Sequence, residues 1–571
     1  MCLKGPRLWT TLVVILEVSS IVVGCAPATL PAATSEIELQ DTGTLPASNL
    51  ANLTLEPSPM ATTPETERSA PETPRSDDAG ATAGPILLLN PGFESIETSG
   101  IPTGWNQTGA AEASYIEERG HSGDSRLTHK SSEAYQVETW QTVSGLQNDW
   151  YTARAWVRSS GGQRAVYIAL RCGTDERRVV VPPTTPGYRW LQLVVSNQVM
   201  DGQCTISLYS DGNPDTWASF DDIELARGRS ALSILGADIS SLDKSEDMGG
   251  IYRDADGTEG DALQILGLHG LNYARLRVWV DPADGYHGTE EILGMALRLR
   301  SLGIRLLVDF HYSDNWADPG KQFKPAAWNN YTFEQLRQAV YDYTFDVCSR
   351  LVAQGTPPAM VQLGNEINAG MLWPDGDYNH MDNLAALLTE GYRAVKDCSP
   401  STLVMLHIAE GGDNDLARWW FDNMTRREVP FDVIGISYYP FWHGSLVQLQ
   451  YNLSDISARY DRDVIVVETA YAFTDQEDDL HPNIANSSMV IPGYPFTPEG
   501  QRAMLRDVMA IVRAVPNGRG LGVFYWDATW TAVTGNGWDS TDPGSGNAWE
   551  NQALFDFDDR ALPALDEFLN P

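Results

Sequence analysis

From residue 232 onward, short apolar runs alternate with helical stretches, and the alternation occurs eight times. The runs are Ile234 to Ile239, Tyr273 to Val280, Leu306 to His311, Met360 to Asn365, Leu403 to Ile408, Val433 to Tyr438, Val464 to Thr469 and Gly522 to Trp526. They read as strands buried on both faces, as in a parallel sheet. Stretches such as Glu290 to Leu302 and Phe333 to Ala353 read as the helices between them. Eight βα units over residues 232–571 predict a (β/α)8 TIM barrel, which takes about 250 residues and tolerates loop insertions.

The chain of 571 residues is too long for that one core. Residues 85–228 show short alternating runs, such as Tyr151 to Val157, Ala165 to Leu170 and Trp190 to Val195, separated by Gly, Pro and Asp clusters. That pattern predicts an all-β sandwich. Its opening Leu89-Asn90-Pro91-Gly92-Phe93-Glu94 and closing Phe220-Asp221-Asp222-Ile223-Glu224-Leu225 resemble the two ends of jelly-roll carbohydrate-binding modules. In that group an opening Glu and a closing Asp share a structural calcium, which the resemblance places at Glu94 and Asp222. Trp105, Trp140 and Trp217 are candidates for sugar stacking or for the core. Residues 26–84 are rich in Thr, Pro, Ala, Ser and Glu, have few large apolar residues, and read as an extended tether. The fold class is therefore multidomain, a barrel with an N-terminal jelly-roll sandwich.

Residues 1–25 read as an export signal, with Lys4 and Arg7 before a mostly apolar run from Leu8 to Val23 that Glu17 interrupts. Val22-Val23-Gly24-Cys25 resembles a bacterial lipobox, which implies lipidation at Cys25 and a place on the outer surface of a bacterial cell. Beyond Cys2 and Cys25 there remain Cys172 with Cys204, and Cys348 with Cys398. Each pair lies within one predicted domain and suits a disulfide in an oxidising compartment, with connectivity left open. A net charge of −37 speaks against nucleic acid and against an anionic polysaccharide, and is compatible with a neutral glycan. A monomer is expected, touching a membrane only through the lipid.

In a barrel of this kind the active site lies at the C-terminal ends of the strands. The fourth run ends Gly364-Asn365-Glu366 and the seventh ends Val467-Glu468-Thr469. Strands four and seven face each other, so Glu366 and Glu468 can flank one bond as acid/base and nucleophile. The Asn-Glu pair resembles the signature of a large clan of retaining glycosidases, in which the Asn holds the sugar 2-hydroxyl; here that is Asn365.

Further segments narrow the resemblance. Gly236 to Ser240, Arg275 to Trp279, Asp309 to Asp314, Trp316 to Gly320, Gly364 to Asn368, Ser437 to Gly444 and Asn551 to Asp556 are similar to those of glycoside hydrolase family 53. These are the endo-β-1,4-galactanases that cut type I arabinogalactan. The resemblance implies a β-1,4-galactan substrate, with Arg277 beneath the nucleophile and Tyr438 hydrogen-bonded to it. It implies sugar-binding roles for His311, Asp314 and Trp442, and a platform at Trp526. Strand eight departs from the family, reading Phe524-Tyr525-Trp526-Asp527-Ala528 where Trp-Glu-Pro is usual. After strand seven, Glu477, Asp479, His481 and Asn483 resemble the family's bacterial calcium loop, with Glu550 at the place of a second-loop ligand. Two alternatives stand beside the galactanase: a related retaining hydrolase of another β-linked plant polysaccharide, and a non-catalytic surface lipoprotein that captures glycan.

Overall fold

The computed structural model describes residues 86–98, 100–184 and 189–569. The expected signal, Cys25 and the tether lie outside the described residues.

Ten strands come first: β1 (Asn106–Gly109), β2 (Ser114–Glu118), β3 (Ser125–Lys130), β4 (Tyr135–Ser144), β5 (Trp150–Ser159), β6 (Ala165–Cys172), β7 (Asp175–Val180), β8 (Leu191–Gln198), β9 (Gln203–Gly212) and β10 (Trp217–Arg227). They form two five-stranded antiparallel sheets, ordered β1-β4-β9-β6-β7 and β2-β3-β10-β5-β8. Alternate residues of each strand point inward, and Val157, Ile168, Leu193, Leu208 and Phe220 share one core. Trp105 belongs to that core, at 4 % exposure against Phe93, whereas Trp140 is half-buried. A disulfide joins Cys172 to Cys204 on neighbouring strands.

The remaining strands are β11 (Ile234–Asp238), β12 (Tyr273–Val278), β13 (Arg305–Phe310), β14 (Met360–Leu363), β15 (Leu403–Ile408), β16 (Val433–Ser437), β17 (Asp463–Thr469) and β18 (Gly520–Tyr525). They close into an eight-stranded parallel barrel in chain order, β18 pairing with β11. Several apolar runs overshoot their strands by one or two residues at the C-terminal end. There the chain leaves the ladder to build the mouth of the barrel. Helices return the chain to the bottom, and their starts carry local signals. Thr332 with Gln335 and Ser445 with Gln448 form capping boxes before Phe333–Ala353 and Leu446–Tyr460. A second disulfide, Cys348 to Cys398, ties Phe333–Ala353 to Met381–Cys398.

The two-sheet region is fastened to the barrel. Gln192 on β8 donates its backbone N–H to Gln450 Oε1 at 2.7 Å, and Gln450 Nε2 returns a bond to Gln192 O at 2.7 Å. Ser230 Oγ donates to Arg513 O at 3.1 Å.

Candidate active site

Inward-facing residues of a barrel strand recur every second position. The bottom of the barrel is apolar: Ile234, Tyr273, Leu307, Met360, Met405, Val433, Ile465, Val467 and Phe524 pack as one cluster. Two residues further along β12 to β15 stand Arg275, Asp309, Gln362 and His407, all buried. Arg275 is the hub. It donates to Asp238 Oδ2 at 2.8 Å, to Asp309 Oδ2 at 2.8 Å and to Asn365 Oδ1 at 2.7 Å. Its Nη2 also lies 2.8 Å from Glu468 Oε1. Gln362 Nε2 bridges to Asp309 Oδ1 at 2.6 Å and His407 Nδ1 at 3.0 Å.

Glu366 and Glu468 open from this floor, 9 % and 4 % exposed. Glu366 follows the end of β14 in a left-handed conformation, φ 47°. A residue other than glycine rarely adopts that region and does so under strain. Glu468 lies where β17 breaks register with both neighbours. The two carboxyls have different surroundings. Burial raises both pKa values. At Glu366 the Glu468 charge adds to burial and lifts the acid well above its ordinary range. At Glu468 the Arg275 guanidinium opposes burial, and a hydrogen bond from Tyr439 does the same. These surroundings favour the proton on Glu366 and the charge on Glu468, the separation an acid and a nucleophile need.

The arginine beside Glu468 is Arg275 rather than Arg277. Both face inward, but Glu468 leaves its strand at the bulge and meets the lower one. Arg277 sits one layer higher, 3.5 Å from Asp527, 3.9 Å from Asp238 and 3.3 Å from His287 Nε2. Its guanidinium lies 4.2 Å from the ring centre of Trp316. The tyrosine is likewise corrected. Ser437 and Tyr439 share the inner face, and the residue between them points out. Tyr439 Oη donates to Glu468 Oε2 at 2.9 Å, whereas Tyr438 Oη donates to Gly444 O at 2.9 Å.

His311 has no nitrogen left for a sugar. Its Nδ1 accepts from Trp279 Nε1 at 3.2 Å and Ala317 N at 3.1 Å, and its Nε2 lies 3.0 Å from Asp309 Oδ2. Asp314 is a loop pin, with its two oxygens taking the N–H groups of Asp281 and Ala326. Asn365 keeps one Nδ2 hydrogen beyond its bond to Ala317 O at 2.8 Å. Trp526 is 8 % exposed at the centre of an aromatic wall, 4.7 Å from Trp549, 5.9 Å from Trp530 and 6.1 Å from Trp316 between ring centres. Trp442 continues the wall, 5.7 Å from Tyr439 and 6.1 Å from Trp549. Arg275, Tyr439, Ser437, His407, Trp316 and Trp549 are members of the site that the reading of the sequence did not single out. Period-two counting back from Arg277 reaches Arg275, and counting on from Ser437 reaches Tyr439.

The residues expected to hold calcium meet mostly backbone groups of their own loops. Asp479 accepts from His481 N at 2.8 Å and Asn547 N at 2.5 Å, and Glu550 from the N–H groups of Asp478 and Asp479. Glu477 is exposed, and Asn483 Oδ1 is buried without a partner. In the two-sheet region Glu94 accepts from Asp124 N and Ser125 N, while Asp222 binds His121 and Ser122. Among the described residues no three His, Cys, Asp or Glu side chains are placed to share one ion.

Sequence comparison agrees with this geometry. Residues 234–568 match the pattern of Glycosyl hydrolase family 53. The endo-β-1,4-galactanase of Bacillus subtilis (strain 168) is 34% identical, over 61% of this chain and 87% of that protein. The arabinogalactan endo-β-1,4-galactanase of Thermothelomyces thermophilus is 35% identical, over 52% and 90%. The solved Ignisphaera aggregans GH53 catalytic domain is 40% identical, covers 59% of this chain and 95% of its own, and superposes with a TM-score of 0.57. With two unequal buried glutamates at the mouth of its barrel and that match over the whole of it, the chain belongs to glycosyl hydrolase family 53.

Proposed function

We propose that this protein is a retaining endo-hydrolase of β-1,4-galactan, the main chain of type I arabinogalactan. The observation that carries the reading is the unequal pair of buried glutamates, Glu468 held by Arg275 and Tyr439 and Glu366 held by neither. In the first step Glu468 bonds to the sugar C1 as the C1–O bond breaks, and the proton of Glu366 goes to the leaving oxygen. In the second, water displaces Glu468 from C1 and gives its spare proton to Glu366, which restores both groups. The aromatic wall around Trp526 supplies apolar surface for the CH faces of the sugar rings.

The two-sheet region is read as a jelly-roll module that holds the same polymer. Support comes from the outer face of its β1-β4-β9-β6-β7 sheet. Trp140, Tyr209 and Tyr167 are half-buried there on three neighbouring strands, with Glu138 and Arg171 beside them. The lipobox-like Val22 to Cys25 supports a lipid-anchored location on a cell surface.

The test is product analysis on β-1,4-galactan by wild type, Glu366→Gln and Glu468→Gln. Short galacto-oligosaccharides from wild type and loss of turnover in both variants are expected. Intact galactan beside hydrolysis of another β-glycan would keep the barrel chemistry and remove the substrate. Undiminished turnover in either variant would misplace the site.

A further inference from the structure

The peptide that joins Asn365 to Glu366 is gripped at both ends. Its carbonyl, Asn365 O, accepts from Gln322 Nε2 at 2.7 Å. Its N–H, that of Glu366, donates to His407 Nδ1 at 3.3 Å. The two grips come from different parts of the barrel, Gln322 from the loop after β13 and His407 from β15. Both side chains are buried, at 1 % and 0 % exposure. Each is itself fixed. Gln322 Nε2 also donates to Asp318 O at 3.1 Å, and two carbonyl acceptors settle which end of the amide carries the hydrogens. A backbone N–H can only donate, so His407 Nδ1 carries no hydrogen. The ring is therefore neutral with its hydrogen on Nε2, which donates to Ser437 Oγ at 2.7 Å.

We infer that Gln322 and His407 are positioning residues for the acid: they clamp the Asn365–Glu366 peptide and so hold Glu366 in the left-handed turn that aims its carboxyl at the glycosidic oxygen. The inference rests on the hydrolase reading above. A peptide plane turns through the ψ of one residue and the φ of the next, so a grip on its oxygen and on its hydrogen fixes both torsions. Glu366 stands at φ 47° and ψ 51°, where a residue with a Cβ stays only under constraint. With either grip removed, a turn of that plane takes Glu366 towards negative φ and swings its carboxyl away from the bond it serves.

The experiment compares wild type, His407→Gln, His407→Asn and Gln322→Met on galactan and on a 2,4-dinitrophenyl β-galactobioside. The dinitrophenolate leaves without a proton, so its first step bypasses the acid. An Asn oxygen can take the place of Nδ1 and accept from Glu366 N, whereas Gln reaches only the place of Nε2 and keeps the bond to Ser437. Expected for His407→Gln and Gln322→Met is a loss of about 10-fold or more in kcat/KM on galactan and of at most about 3-fold on the dinitrophenyl substrate. His407→Asn should recover most of the galactan loss. The second step gives another readout, because azide needs no base: it bonds to C1 as the bond to Glu468 breaks. Azide should therefore raise kcat on the dinitrophenyl substrate and yield the β-galactobiosyl azide in His407→Gln, and not in wild type. Equal losses on the two substrates, His407→Gln more active than His407→Asn, or no response to azide would overturn the inference. A wild type inactive on both substrates would instead overturn the hydrolase reading beneath it.

Discussion

Arg275 in the barrel and Arg171 on the outer sheet each gather more than one carboxylate, under opposite conditions. Arg275 is 1 % exposed and reaches Asp238, Asp309 and Glu468 at 2.8 Å each. Arg171 is 45 % exposed and lies 2.5 Å from Glu176 and 3.6 Å from Glu138. In the barrel, charge is paired because water cannot reach it, so each partner depends on the others. On the sheet, water screens every charge and any one can be lost. Position in a polar network matters through burial, far more than through the number of contacts.

The contrast can be broken at four places. Arg275→Met strands three buried acids and should cost about 3–5 kcal/mol in chemical denaturation, together with nearly all activity. A change below about 1 kcal/mol would mean the acids take protons in place of the arginine. Next comes Tyr439→Phe, which should lower kcat by about 100-fold by removing the hydroxyl from Glu468, while Tyr438→Phe should leave kcat within about 3-fold. Steady-state kinetics on galactan would separate the two, and a reversed order would restore the sequence-based assignment.

The third test uses pH. Burial pushes Asp527 up to about 7, Glu550 up to about 7 and Glu291 up to about 8. Their folded values lie above the ordinary carboxyl range, so the native state holds protons that the unfolded chain has released. The stability they contribute is complete below that range and is lost as pH rises through 7 to 8. Tm should fall between pH 5 and pH 8, and Asp527→Asn should flatten the fall; a Tm that rises over that interval would contradict it. Smallest of all, Arg171→Ala should change stability by less than about 1 kcal/mol in the same denaturation experiment. A larger loss would show the sheet network to be as interdependent as the barrel's.

The architecture was legible because strand runs such as Leu403 to Ile408 are unbroken apolar segments between helices. The two candidate glutamates were legible as a pair, since they close the fourth and seventh runs, whose ends meet across the barrel. Neighbouring roles were less legible. In a strand covered on both faces, apolar residues occupy both parities, so in Gly435-Ile436-Ser437-Tyr438-Tyr439 only the period-two step from Ser437 singles out Tyr439, and burial by itself does not. Likewise the height at which Glu468 meets an arginine depends on a bulge, which no residue type announces. His311 and Asp314 look like ligand-binding residues by type. Only the fold reveals that Trp279, Ala317 and Asp309 engage both nitrogens of His311, and that Asp281 and Ala326 each reach one oxygen of Asp314.

The left-handed backbone at Glu366 sets selection for stability against selection for turnover. A glycine there would relieve backbone strain of about 1–2 kcal/mol and would bury no carboxyl. The protein would then be sturdier and inert. A population chosen only for heat resistance would gain from that exchange. Libraries screened for thermal tolerance should therefore be counter-screened for product, or position 366 held fixed.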